Sequence, residues 1–350
     1  MRKLQNIQAL RGIAVLSVVL FHLVTIEHKY GGTETILPFF FNFGLFGVDL
    51  FFVISGFVMV AITRGKFQDI KQALLFLYHR ASRIYPAYWI YSLFVLCVFL
   101  IKPSLVNSSQ GSQVDILSSF LLLPSETLPL VMVGWTLIHE MYFYLTFFLV
   151  MLLIKERHLP FVILLWGIVI IFLNVFLELT SPFSRLVSHP LTIEFISGCF
   201  LAIIFFRENN RLLETRSLLI LTSICLIVSV YGYCLYHQIT GQIDPQGWWR
   251  ILIFGIPAIL LAFSFVNAER NGNILHSSLV KIGDASYSIY LSHILTLSAA
   301  GRLWSMYYSS NAAYDKIIMI PFFLVLTIIV GIASYHFIEM PLLRYSRRIA

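Results

Sequence analysis

His22, Asp49 and Glu140 are titratable side chains inside long apolar runs, where an ionisable group is costly and therefore marks a working site by default. His22 stands four residues before the outer end of the first run, roughly 6 Å deep at the helical rise. Asp49 and Glu140 each stand six residues into runs that enter from that same side, roughly 9 Å deep. An imidazole beside a carboxylate is the common general-base arrangement, because the carboxylate fixes the tautomer and stabilises the imidazolium. The expected catalytic set is therefore His22 with Glu140 or Asp49 as its orienting carboxylate. Depth is silent on azimuth, however, and polar residues near helix ends also snorkel or hold helices together.

Arg11 precedes His22 by eleven residues, and eleven steps of about 100° return to within about 20° of the same helix face. That face carries a guanidinium and an imidazole about 16 Å apart along the axis, which suits a long, thin, anionic-headed substrate. Ahead of the third run, His79-Arg80-Ala81-Ser82-Arg83-Ile84-Tyr85-Pro86 sets two arginines three apart where a helix enters the membrane. Such a pair makes a bidentate phosphate clamp, although basic residues at inner helix ends are also expected from topology and lipid headgroups alone. Arg11, Arg80 and Arg83 are the expected donor-binding residues. Ser286, Tyr290 and His293 form an i, i+4, i+7 stripe and Glu140 and Tyr144 an i, i+4 pair. Either stripe suits the lining of a polar cavity, making Tyr144, Tyr290 and His293 candidate substrate contacts, or equally a set of interhelical hydrogen bonds. Glu194, His336 and Glu339 lie near run ends and are given no role. Gly44, Gly47 and Gly56 fit close helix packing, since no phosphate-binding glycine loop is present.

The elements that hold these residues are membrane helices. With 59% apolar and 12% charged residues and a mean hydropathy of +0.85 over 350 residues, a soluble fold would expose far too much apolar surface. The net charge of +7 resides in short clusters between apolar runs rather than on one continuous face, so nucleic acid is not an expected partner. Runs near 7–26, 43–63, 84–101, 134–154, 160–179, 190–206, 217–236, 248–267, 286–306 and 316–338 predict about ten transmembrane helices. Alternate loops hold 17 Lys and Arg on one side, from Arg2 and Lys3 through Arg211 to Arg348, against 4 on the other. The positive-inside rule then places both termini in the cytoplasm. Arg11 and His22 within the first run argue against a cleaved signal peptide. Cys97, Cys199, Cys225 and Cys234 lack paired spacing and suggest neither disulfides nor a metal site. Between 102 and 133, a polar 107–113 followed by an apolar 116–124 fits a re-entrant or interfacial helix. The whole of 1–350 reads as one all-α integral membrane domain, with no repeat and no appended soluble domain.

With these residues in view, the chain resembles acyltransferase family 3, the bacterial membrane O-acyltransferases of surface polysaccharides, over essentially its whole length. The resemblance rests on five segments in order: Gln8-Ala9-Leu10-Arg11-Gly12 running on to Phe21-His22; Phe46-Gly47-Val48-Asp49-Leu50-Phe51-Phe52; Arg80-Ala81-Ser82-Arg83; Gly134-Trp135-Thr136-Leu137-Ile138-His139-Glu140-Met141-Tyr142; and Ala285-Ser286-Tyr287-Ser288-Ile289-Tyr290. The fourth is most similar to the exopolysaccharide-production branch. The resemblance implies a multi-pass protein of the bacterial inner membrane. It implies a cytoplasmic acyl-CoA donor, acetyl-CoA by default, and a hydroxyl acceptor on a glycan or lipid-linked glycan. It also implies catalysis at His22 and donor binding at Arg11, Arg80 and Arg83. Some relatives append an outer domain; here transfer is expected from the membrane part or a partner. A proton-coupled transporter or flippase is the alternative from another class, since buried His, Asp, Glu and Arg equally mark transport pathways. Its signature of repeated, interrupted helices is not evident.

Overall fold

In the computed structural model, every regular element among the described residues is a helix or helical turn. The structure describes residues 4–31, 35–107, 110–177, 179–207, 214–307 and 313–349. Arg2, Lys3 and Arg211, which helped to orient the chain, lie outside them. Nine of the described helices are long and apolar enough to cross a membrane. The tenth expected span is α13 (Ser286–Tyr307), 22 residues long but diluted by serines, tyrosines, His293 and Arg302. The outward faces are apolar: Ile227 and Ile239 on α9 (Thr215–Thr240) are 70% and 82% exposed, and Phe161 on α6 (Leu159–Phe176) 67%. Only lipid makes such surfaces favourable, and helices satisfy their own backbone there.

Chain contacts group the helices into two compact units, Met1–Ile54 with Arg207–His336 and Ser55–Phe206 with Phe337–Ala350. In the first, α1 (Gln5–Tyr30) packs against α11 (Ile256–Arg270), α12 (Ser277–Asp284), α13 and α14 (Ala313–Ser334). Its first turn has no side-chain cap of its own. The Glu269 carboxylate instead accepts from the Gln5 and Asn6 N–H groups at 2.7 and 2.8 Å, satisfying orphan donors at the positive end of the helix. Asn6 is fully buried, donating to the Phe265 and Asn273 carbonyls and accepting from Leu275 N–H. Close approach sets the packing. A Cβ at Gly44 or Gly47 would come within 2.2 Å of the Ser17 or Ala14 carbonyl oxygen, which bears out the reading of these glycines as packing positions.

The second unit is built on α3 (Ile70–Ile101), which packs against α4 (Ile116–Leu121), α5 (Gly134–Leu153) and α15 (Met340–Ile349). A Cβ at Gly56, in the part of α2 (Phe46–Thr63) that belongs here, would reach 1.9 Å from the Phe195 carbonyl oxygen of α8 (Leu191–Phe205). The structure corrects the expected start of the third span. Instead of beginning near residue 84, α3 runs unbroken for 32 residues through Pro86, about 48 Å at the helical rise against an apolar layer of about 30 Å. Asp69 caps it by accepting from the Lys71 and Gln72 N–H groups. The basic segment read as loop is thus the first half of a helix, and Arg80 and Arg83 share a regular face. Among the described residues of the stretch after it, the one α-helix is the six-residue α4, pinned by Tyr85, Tyr88 and Trp89, which donate to the Leu121, Ser119 and Phe120 carbonyls.

Candidate active site

In the first unit α1 delivers His22 and α13 delivers His293. The rings meet at 4.8 Å between centroids and 70° between planes. His22 is partly exposed, whereas His293 is wholly buried. His22 Nδ1 lies 3.0 Å from the Val18 carbonyl oxygen, one turn back on its own helix, and 3.3 Å from His293 Nε2. His293 Nδ1 lies 2.6 Å from the Tyr290 carbonyl oxygen. A carbonyl can only accept, so both Nδ1 atoms carry the proton in the neutral rings. His293 Nε2 is then a lone-pair acceptor facing His22 Nδ1–H, and the lone pair of His22 is left on Nε2. A histidine in that tautomer is prepared to take a proton at Nε2 while its other nitrogen is held by two acceptors.

Asp49, one of the two carboxylates expected beside the imidazole, is engaged by a guanidinium. Arg250 donates to Asp49 through Nε to Oδ1 and Nη2 to Oδ2, both at 2.8 Å, and through Nη1 to Asp244 Oδ1 at 2.7 Å. Asp49 is fully buried and Arg250 only 5% exposed. A carboxylate so placed requires a full counter-charge, and the bidentate guanidinium supplies it. Arg250 closes the short α10 (Trp248–Arg250), after which the helix widens into a π turn over Ile251–Gly255. Pro257, near the start of α11, has no N–H to return to the preceding turn, which is the physical cause of the widening. Tyr290 contributes its carbonyl to His293, and its ring lies 5.6 Å from the His293 ring and 6.0 Å from Phe51. Arg11 is partly exposed on α1 with Nη1 3.5 Å from Gln8 Oε1.

In the second unit Tyr144 donates a short hydrogen bond to Glu140 Oε1, and Ser55 Oγ lies 3.5 Å from the same oxygen. The Arg80 guanidinium sits 5.8 Å from the centroid of the Tyr144 ring, within cation–π range. Arg80 and Arg83 line a cavity of about 410 Å³ between α3 and α15, together with Lys66, His79, Gln72 and Arg347. Among the described residues no acidic side chain lines it. Among the described residues Arg80 Nε is buried there without a hydrogen-bond partner. Sequence reasoning assigned no site role to Lys66, His79 and Arg347 because topology alone accounts for inner-side positive charge. Among the described residues no group of three or more His, Cys, Asp or Glu side chains converges as a metal-ligand set.

Residues 4–336 match the family model described as an acyltransferase domain, the third of that name. The chain belongs to acyltransferase family 3. This acyltransferase is 29% identical to the exopolysaccharide production protein ExoZ of Rhizobium meliloti (strain 1021) over 318 residues, 88% of this chain and 92% of that one. It is 25% identical to the putative O-acetyltransferase SACOL0978 of Staphylococcus aureus (strain COL), over 97% of this chain but 57% of the staphylococcal protein. It is also 25% identical to the putative acetyltransferase ORF330 of Acidianus two-tailed virus, over 83% of this chain and 82% of the viral one. No solved structure matches it at a comparable level of significance. Family membership together with nine long apolar helices makes this a multi-pass membrane acyltransferase, which decides between the transferase and carrier readings that buried polar residues alone left open.

Proposed function

We propose that this acyltransferase moves an acyl group, acetyl by default, from acyl-CoA to a hydroxyl of a surface polysaccharide or its lipid-linked precursor at the bacterial inner membrane, with both termini and the donor on the cytoplasmic side. The names of the relatives support an exopolysaccharide-type acceptor and an acetyl group. The observation that carries the mechanism is the orientation of His22. Its Nδ1–H is held by the Val18 carbonyl and His293 Nε2, so Nε2 is the basic atom.

In the proposed step His22 Nε2 removes the proton of the acceptor hydroxyl as that oxygen attacks the thioester carbonyl. The tetrahedral centre then collapses, the C–S bond breaks, and the imidazolium returns its proton to the departing thiolate. As the ring becomes cationic, its Nδ1–H bonds to Val18 and His293 strengthen, so these neighbours stabilise the transition state more than the ground state. Tyr290 and His293 shape the surroundings of the reacting nitrogen. Arg11, on the same face of α1 as His22, offers a guanidinium to an anionic part of the donor. Arg80 and Arg83 bind donor phosphates in the basic cavity, and Glu140 with Tyr144 holds Arg80 in place by charge and ring contact.

The test is glycan acetylation, followed by mass spectrometry of surface glycans from cells carrying wild type or His22→Ala. The variant is expected to insert normally into the membrane and to lose the acetyl group. Acetylation at the wild-type level would remove His22 from catalysis.

A further inference from the structure

The basic cavity of the second unit contains more positive charge than a two-arginine clamp requires, and part of it comes from a helix outside the family match. Arg347 lies on α15, beyond residue 336 where that match ends. The Tyr78 hydroxyl fastens α15 to α3 by donating to the Ser346 carbonyl at 2.9 Å, which brings the neighbouring Arg347 to the cavity rim. Lys66 reaches the same cavity from the loop between α2 and α3. That loop is anchored by Gly65 N–H donating to Glu156 Oε2 at 2.7 Å and Gln68 N–H donating to the Met151 carbonyl at 2.8 Å. The charges of Arg80, Arg347 and Lys66 all reach His79. Two groups of cations therefore face one space: Arg80 and Arg83 on α3, with Arg80 Nε buried and unpartnered, and Arg347 with Lys66 at the exposed rim.

Like charges held this close repel one another, and an anion with two separated phosphate groups relieves both clusters at once. Coenzyme A has that form: a pyrophosphate and, on the ribose, a separate 3′-phosphate. We infer that Arg347 and Lys66 form a subsite for the donor's ribose 3′-phosphate, while Arg80 and Arg83 hold the pyrophosphate. This rests on the acyl-CoA reading of the donor and adds to it a specificity determinant on α15. The shared ligand chemistry is a phosphate monoester or diester, which a lipid headgroup also presents, so the test separates the two sources.

The full chain in phosphatidylcholine nanodiscs is titrated with coenzyme A and with 3′-dephospho-coenzyme A. Wild type is expected to bind coenzyme A at least tenfold more tightly than the dephospho form. Arg347→Gln is expected to weaken coenzyme A about tenfold, the equivalent of one charge-assisted contact, and to leave dephospho-coenzyme A unchanged, so that the preference collapses. Arg347→Lys restores part of it, and Arg348→Gln, one position along α15 and not in the cavity lining, leaves both affinities as in wild type. An Arg347→Gln protein that keeps the wild-type preference, or that weakens both ligands equally, overturns the assignment while leaving the donor reading intact. No binding of either nucleotide by wild type removes the donor reading and this subsite with it. Displacement of coenzyme A by phosphatidylglycerol vesicles, lost in Arg347→Gln without any change in nucleotide affinity, assigns the rim to lipid and also overturns the proposal.

Discussion

Replacement of His293 by alanine or glutamine tests the histidine pair directly, because it removes the partner of His22 Nδ1 and leaves the proposed base in place. The contact at risk spans 3.3 Å, longer than the 3.0 Å bond from the same Nδ1–H to Val18, which survives the substitution. A hydrogen bond between neutral groups contributes about 0.5–1.5 kcal/mol and one to a charged group about 1.5–3 kcal/mol. The His293 contact changes from the first kind to the second as His22 is protonated. The differential loss is the difference between the two, about 1–1.5 kcal/mol, which is up to about tenfold in rate. Because the interaction strengthens on the way to the transition state, the loss falls on kcat with KM for the donor nearly unchanged. Initial rates of acetyl transfer by purified protein in nanodiscs, at saturating and limiting acetyl-CoA, measure both, and the melting temperature shows that the buried site still folds. By comparison His22→Ala removes the base itself and costs roughly 10²–10⁴-fold. A His293→Ala enzyme with wild-type kcat refutes the supporting role. One as inactive as His22→Ala refutes the assignment of His22 as the base of the pair.

Three further outcomes follow from the packing. Asp49→Asn leaves the buried Arg250 charge with the half-exposed Asp244 carboxylate alone and is expected to lower stability by about 3 kcal/mol, the low end for a broken buried pair, read as a lower thermal midpoint in detergent that an added Arg250→Met partly restores; a shift equivalent to under about 1 kcal/mol shows the pair to be unimportant. Gly283→Ala sets a Cβ 1.7 Å from the Gln8 carbonyl oxygen, so α12 must move away from α1 at a cost of about 1–3 kcal/mol or more, and an unchanged yield of folded protein and midpoint contradicts that approach. Arg83→Ala is expected to raise KM for acetyl-CoA about tenfold with kcat within about twofold, since a phosphate contact made equally before and during transfer is uniform binding; a fall in kcat at constant KM places Arg83 elsewhere.

The sequence by itself determined the solvent, the element type and the local constellations of this protein. Long apolar runs admit only helices in lipid, so nine of the expected spans were readable from hydropathy alone. Spacing was sufficient wherever the partners share a helix: Glu140 beneath Tyr144, Tyr290 beneath His293, and Arg80 with Arg83 on one face of α3. It also marked His22, Asp49 and Glu140 as candidate site residues, since any charge at depth is costly. Depth along a helix leaves its azimuth open, though, and only the packed structure chose neighbours across the chain. It joined His22 to His293 over 271 positions and Asp49 to Arg250 over 201, although the sequence pointed Asp49 at His22. Full burial of Asp49 decided that outcome, because a desolvated carboxylate takes the nearest guanidinium before it serves a neutral ring. Arg347 was hidden for a different reason. Positive charge on the inner side is what topology demands everywhere, and the role proposed for Arg347 emerges only where α3 and α15 bring such charges to one cavity.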